Sequence, residues 1–152
     1  MKILIAGLLI AGFAASAEGP TFALWKASEL KGIAKALSPN VKNGIFSESL
    51  ANMGNYTFSR VLRTSNGSAE VHETMADIFV IESGEPTLVT GGTVVDPKTT
   101  QAHEIRGSAI SGGAEHKLSA GDILTIPPRM PHLMKVPAGQ QVTYVAIKVA
   151  QP

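Results

Sequence analysis

From residue 44 onward the sequence alternates between short β-type segments and turn residues, a pattern that few folds accept. The predicted strands are Gly44 to Ala51, Tyr56 to Arg63, Ser68 to Thr74, Asp77 to Glu82, Thr87 to Val95, Ile105 to Ile110, Ile123 to Ile126, His132 to Val136 and Gln141 to Val149. Turn pairs such as Asn66-Gly67 and Ser83-Gly84 separate nearly all of them. Strands at this spacing predict an all-β sandwich or barrel. We expect the polar stretch from Asp96 to Gly113 to form a long hairpin lip.

One helix is predicted ahead of the strands. Apolar residues recur at helical spacing within Ala27 to Leu37, and Ser38-Pro39-Asn40 ends that segment. We expect this helix to cap the fold. The chain of 152 residues is long enough to bury one core and too short for two.

The N-terminus has the features of a secretory signal peptide. Met1-Lys2 is followed by the apolar run Ile3 to Ala14 and then by Ala15-Ser16-Ala17, an A-x-A cleavage site. Because this run is shorter than the roughly 20 residues that span a bilayer, an uncleaved anchor is the weaker alternative. We expect export to a bacterial periplasm or beyond. The mature domain would be residues 18–152, with 18–43 as a helical extension and 44–152 as a β-barrel.

Charge and cysteine content narrow the range of partners. Without Lys2, twelve basic and twelve acidic residues remain, and neither sign forms a run. This balance gives no electrostatic footprint for nucleic acid or for an anionic membrane, so a small neutral ligand or partner fits better. The chain has no cysteine, so disulfides and thiolate ligands are excluded. Any bound metal must be held by nitrogen and oxygen donors.

Two segments far apart in the chain carry the residues that a metal site needs. Glu70, His72 and Asp77 lie in the first, and His132 lies in the second after a proline-rich turn that holds its strand rigidly. Residues two apart on a strand share a face, so Glu70 and His72 point the same way. Converging carboxylates need a metal, an arginine or protonated histidines nearby. The alternative to a metal site is a hydrogen-bond network of histidines and carboxylates.

The same alternation predicts the walls of a pocket. Phe79 shares a strand face with Asp77, and Met134 shares one with His132, so both are expected to line it. Arg60 is interpreted as an inward cation that clamps a substrate carboxylate, the alternative being an arginine at a sheet edge with its head in water. Three polar residues are placed outside the site: Glu73, His103 and His116.

These segments resemble the paired motifs of the cupin superfamily, G-x5-H-x-H-x(3 or 4)-E-x6-G and G-x5-P-x-G-x2-H-x3-N. The resemblance covers about residues 67–149. The positions that match are His72, Gly84, Gly121, Pro127 and His132, with Asp77 at the motif's glutamate. The remaining positions differ, with Thr64 at the leading glycine, Glu70 at the first histidine, Arg129 at the inner glycine and Val136 at the asparagine.

The resemblance implies a jelly-roll β-barrel that binds one divalent metal ion and faces a small-molecule pocket. The ligand set carried over is Glu70, His72, Asp77 and His132. Manganese, iron, zinc, nickel and copper all suit such donors. Cupins commonly pair through their sheets, so a homodimer is expected.

Three functions follow from this interpretation. The preferred one is a metalloenzyme of lyase, isomerase or oxygenase type that acts on a small oxygen-rich molecule, with Glu70 or Asp77 moving a proton. The alternative is a non-catalytic cupin that binds a small ligand or only the metal. The third and weaker interpretation is a structural or partner-binding β-domain with a polar, metal-free interior.

Overall fold

A computed structural model of the chain describes residues 22–30 and 40–151. The predicted signal peptide and most of the predicted helix lie outside these residues. Residues 27–30 are helical, in agreement with the beginning of the predicted helix. In the described part of the chain, no helix is both long and apolar enough to cross a membrane.

Short strands make up most of the described chain. They are β1 (Ile45–Asn52), β2 (Tyr56–Arg63), β3 (Ala69–His72), β4 (Met75–Ser83), β5 (Thr87–Thr90), β6 (Thr93–Val95), β7 (Lys98–Gln101), β8 (Glu104–Gly107), β9 (Ala109–Ser111), β10 (Ala114–Lys117), β11 (Ile123–Ile126), β12 (His132–Lys135) and β13 (Val142–Ala150). One sheet has the order β1-β2-β13-β4-β11, and the other has the order β10-β5-β12-β3-β8-β7. Strands β6 and β9 form a separate pair. The predicted all-β class is confirmed.

Strand predictions fail where apolar alternation is missing. Strands β7 and β10 are exposed along their whole length and contain no large apolar residue, so no hydrophobic period marked them in the sequence. The predicted strand from Thr87 to Val95 is interrupted at Gly91 and Gly92, whose φ angles are 72° and 71°. Only glycine adopts this left-handed conformation without strain, and the interruption produces the separate strands β5 and β6.

The main core lies between the two large sheets. It consists of Val61, Phe79, Ile81, Leu88, Ile126, Met134, Val136, Val142 and Tyr144. A second, smaller cluster lies on the other face of the six-stranded sheet, where Ala69, Val89 and Leu133 pack against Val94 of β6 and Ile110 of β9. The β6–β9 pair therefore covers that sheet face. On the outer face of the five-stranded sheet, the ring of Trp25 packs 5.4 Å from the ring of Phe58.

Register brings the two predicted site segments together. Glu70 on β3 lies opposite His132 on β12 and also opposite Arg106 on β8. Asp77 on β4 lies opposite Lys148 on β13. The site is thus assembled from both large sheets, and its residues point into the space between them.

Candidate metal centre and cavity

The four predicted ligands converge. His72, Asp77 and His132 are only 3%, 1% and 4% exposed, and Glu70 is half-buried. Glu70, His72 and His132 each offer one ligand atom, and these three atoms lie within 4.8 Å of one another. Asp77 Oδ2 lies 3.1 Å from His72 Nε2 and 3.4 Å from His132 Nε2. One small cation can contact such a set, because metal–ligand distances are about 2.0–2.2 Å.

His132 has one ring nitrogen fixed and the other free among the described residues. Its Nδ1 lies 3.1 Å from the carbonyl oxygen of Met130, which only accepts, so Nδ1 carries the hydrogen and donates. Its Nε2 is buried and has no hydrogen-bond partner within the described chain. A histidine that ligates a metal has this arrangement, in which a carbonyl on one nitrogen orients the lone pair of the other.

His72 has partners on both ring nitrogens. Nδ1 lies 2.5 Å from Glu104 Oε1, and Nε2 lies 2.7 Å from Lys148 Nζ. Burial lowers the pKa of His72, but the neighbouring carboxylates of Asp77 and Glu70 outweigh burial and raise the pKa to about 9. Lys148 opposes this shift. The lysine contact and the protonation of Nε2 are mutually exclusive, since an ammonium group donates only to a free lone pair.

Lys148 is the counter-cation of Asp77. Its Nζ donates to Asp77 Oδ1 at 2.8 Å, across the β13–β4 pair. Burial alone would raise the pKa of Asp77, but close contacts with His132, His72 and Lys148 hold that pKa well below its usual range. The converging carboxylates predicted a nearby cation from the sequence, but Lys148 was not among the predicted residues. A signal existed, because Lys148 is the one charge in β13 and shares a face with the core residue Tyr144.

Glu70 is held by two arginines that were not among the predicted site residues either. Arg106 Nη1 donates to Glu70 Oε1 at 2.5 Å, and Arg63 Nη2 lies 3.8 Å from the same oxygen. Burial raises the pKa of Glu70, but His72 and these arginines, with His132, outweigh burial and lower the pKa to about 2. Glu70 therefore stays ionised at neutral pH, as a metal ligand must.

The turn before His132 explains the most unusual of the motif substitutions. Arg129, at the motif's inner glycine, has a φ of 66°, in the left-handed region that favours glycine. Its backbone N–H donates to the carbonyl of His72 at 2.8 Å. The role of this position therefore lies in its backbone conformation, and the hydrogen bond connects the turn before His132 to the end of β3.

A cavity of about 390 Å³ opens beside the cluster. Glu70, Asp77 and His132 form part of its wall, together with the predicted pocket residues Phe79 and Met134. Its cationic lining residues are Arg63, Arg106 and Lys148. Apolar lining comes from residues such as Ile45, Val61, Tyr144 and Ala146. The cavity lining thus combines charged and apolar side chains.

The prediction that Arg60 lines the pocket is corrected. On β2 it is the alternate set, Ser59, Val61 and Arg63, that faces the cavity. Arg60 points to the other side of the sheet, where its Nε donates to Glu82 at 2.7 Å. The predicted face was wrong by one residue, and Arg63 is the inward cation.

The residues placed outside the site lie at the surface. His103 Nδ1 is 3.0 Å from Glu73 Oε2 in an exposed pair, and His116 contacts Thr90. None of these residues lines the cavity.

Comparisons with known proteins agree with the architecture. The sequence profile of the AraC-like ligand-binding domain matches residues 106–152. No curated protein sequence matches the chain significantly. The fold is similar to that of a cupin superfamily protein from Desulfitobacterium hafniense, at 15% identity over 73% of this chain and 82% of that one, with a TM-score of 0.51.

Two further structures have a similar fold. KdgF from Halomonas sp. is 14% identical over 74% of this chain and 85% of that one, with a TM-score of 0.52. An oxalate oxidase in complex with glycolate is 16% identical over 74% of this chain and 54% of that one, with a TM-score of 0.51. Identities this low establish the fold and leave the activity open. The chain therefore has a fold similar to that of cupin proteins.

Proposed function

We propose that this protein binds one divalent metal ion through Glu70, His72 and His132, with Asp77 beside them, and uses it to bind a small oxygen-rich organic molecule. The observation that carries the proposal is the buried Nε2 of His132, which makes no hydrogen bond in the described residues and faces the carboxylates of Asp77 and Glu70 at 3.4 and 3.9 Å, while Nδ1 is fixed by a carbonyl. Leaving a buried lone pair unsatisfied costs about 1–3 kcal/mol, and a bound cation removes that cost.

The ion, when bound, would polarise an oxygen of a ligand held in the adjacent cavity. The chain's own residues supply the rest. Glu104 and the Met130 carbonyl orient the two imidazoles, and Arg106 positions Glu70. The pKa of Glu70 and that of Asp77 are both held low, so both groups suit ligation better than proton transfer at neutral pH. This weighs against the catalytic role predicted for them.

The ligand-binding profile and the similar oxalate oxidase structure, which is in complex with glycolate, support a small molecule in the cavity. They favour the metalloenzyme and the non-catalytic binder alike. Export through a cleaved signal peptide and pairing into a homodimer stay predictions from the sequence.

A second candidate function is a metal-free ligand-binding cupin. The observation that favours it is Lys148, whose ammonium already contacts His72 Nε2 and donates to Asp77 Oδ1. In that case the interior would be the histidine and carboxylate network that the sequence left open.

Metal stoichiometry decides between the two. We would measure metal content by elemental analysis in the purified protein, after incubation with manganese, iron, zinc, nickel and copper salts in turn. The proposal expects about one ion per chain in the parent, a strong loss in His132→Ala and His72→Ala, and no change in His116→Ala, a matched surface histidine. No retained ion in the parent, or equal retention in all variants, would favour the metal-free candidate.

A further inference from the structure

The ammonium group of Lys148 contacts two side chains that a metal ion would also contact. Nζ is 2.7 Å from His72 Nε2 and 2.8 Å from Asp77 Oδ1. Both residues belong to the proposed metal centre. Outside this contact the lysine points into the cavity, and its side chain is 34% exposed.

We propose that Lys148 competes with the metal ion for His72 and Asp77, and that the displaced ammonium joins Arg63 and Arg106 in binding the carboxylate of a small amphipathic ligand. The inference rests on the proposed function and deepens it, because it names the ligand class and couples ligand binding to metal binding.

Competition follows from the number of lone pairs. Nδ1 of His72 is engaged by Glu104, so Nε2 is the nitrogen left for either cation. One lone pair cannot serve an ammonium group and a metal ion at once. Two cations a few ångströms apart in a half-buried site also repel each other strongly, because little water screens them. The lysine must therefore leave when the ion enters.

The cavity offers the displaced side chain of Lys148 an alternative position. A lysine ends in a compact charge on a flexible four-carbon stem. Its stem starts on β13 at the cavity wall, near Ala146, whose small side chain leaves room. Since the side chain is already partly exposed, its ammonium can move into the cavity without being buried further.

The charges of the cavity select an anion. Three cations line the cavity, Arg63, Arg106 and Lys148, against two carboxylates, Glu70 and Asp77. A metal ion would draw on those two carboxylates, which leaves the three cations under-compensated. Arginine and lysine side chains are the groups that bind carboxylates. The apolar lining residues Val61, Phe79 and Met134 suit the apolar part of the same ligand.

Metal and ligand should therefore strengthen each other's binding. A carboxylate that attracts the displaced ammonium lowers the free energy of the metal-bound state, and by linkage the ion tightens carboxylate binding by the same factor.

The test is a zinc titration of the purified full chain, with and without benzoate, in the parent and in Lys148→Met. Benzyl alcohol serves as the neutral matched ligand, and Lys117→Met, on exposed β10, serves as the control lysine. We expect Lys148→Met to bind zinc about tenfold more tightly than the parent without benzoate. Benzoate should tighten zinc binding about fivefold or more in the parent and much less in Lys148→Met. Lys117→Met should match the parent.

Each outcome bears on one claim. Equal or weaker zinc binding in Lys148→Met, or equal enhancement by benzoate and benzyl alcohol, overturns the inference and leaves the metal site intact. No zinc binding by the parent or by Lys148→Met overturns the proposed function itself. Lys148→Gln, which keeps a donor for Asp77 without the charge, is the second variant if Lys148→Met does not fold, and the same increase in zinc affinity is expected.

Discussion

The two faces of the five-stranded sheet both bury charged residues, and they do so differently. On the outer face Arg60 donates to Glu82 at 2.7 Å, and one cation meets one anion. On the inner face Asp77 contacts His72, His132 and Lys148, and His132 Nε2 makes no hydrogen bond in the described chain. Asp77, His132 and Lys148 line the cavity, whereas Arg60 and Glu82 do not.

The difference between the two faces shows which buried charged residues indicate function. Arg60 is 2% exposed, so burial alone does not separate the two faces. Arg60 Nη1 also lacks a partner among the described residues, but an arginine only donates and cannot hold a cation. An acceptor lone pair that is buried, oriented and directed at other ligands is the informative feature.

The largest expected effect tests whether the outer pair is purely structural. In Arg60→Met the carboxylate of Glu82, which is partly exposed, loses its partner. We expect the free energy of unfolding to fall by about 3 kcal/mol, at the lower end for a broken buried pair. The measurement is denaturant unfolding, with metal content determined on the same samples. Metal content should stay unchanged, and its loss in a folded variant would mean that the two faces are not independent.

The next effect is a loss of stability in Lys148→Met that depends on whether metal is bound. In the presence of a chelator, Lys148→Met leaves Asp77 without its nearest cation, and we expect a loss of about 1–2 kcal/mol. With saturating zinc the loss should disappear, because the ion supplies the missing positive charge. Paired unfolding curves with chelator and with zinc measure both values. A loss of equal size in both conditions would show that Lys148 and the metal do not share a position.

Most of the fold could be predicted from the sequence, because strand alternation and turn residues are local signals. Tyr56–Arg63 and Ile123–Ile126 agree with β2 and β11 at both ends. The four proposed ligands were found for the same reason, since alternation and motif spacing are visible along one chain. The exposed strands β7 and β10 were missed because they bury nothing.

The partners of the ligands could not be predicted, because they depend on which strands pair. Glu104 and Arg106 reach the site only through the pairing of β3 with β8, and Lys148 only through the pairing of β13 with β4. Arg60 was assigned to the wrong face because Tyr56, Phe58 and Leu62 share its face, and that apolar set suggested the core. The set facing the cavity, with Ser59 and Arg63, is more polar, as a ligand-binding wall is.

A smaller effect separates backbone from charge at the turn before His132. Arg129 has a φ of 66°, so Arg129→Gly relieves strain in the left-handed region and should raise the free energy of unfolding by about 1 kcal/mol. Zinc affinity should not change, because the backbone N–H that donates to His72 is retained. Arg129→Ala is the matched control that removes the charge and keeps the strain. If alanine stabilised the protein as much as glycine does, the charge and not the backbone would be the cause.

The smallest effect tests whether water reaches the inner face at Tyr144. Burial raises the pKa of Tyr144, and Arg63, whose Nε donates to the phenol oxygen at 2.9 Å, only partly offsets this. The difference in phenolate absorbance between the parent and Tyr144→Phe should therefore appear above the ordinary tyrosine value of about 10. Because the folded pKa lies above the unfolded one, the contribution to stability is complete below the unfolded pKa and is lost as pH rises towards the folded one. Ionisation at the ordinary value would mean that water reaches Tyr144 in the cavity lining. Water would then screen the charges of Arg63, Arg106 and Lys148. Their attraction for a carboxylate would be weaker than in a cavity without water.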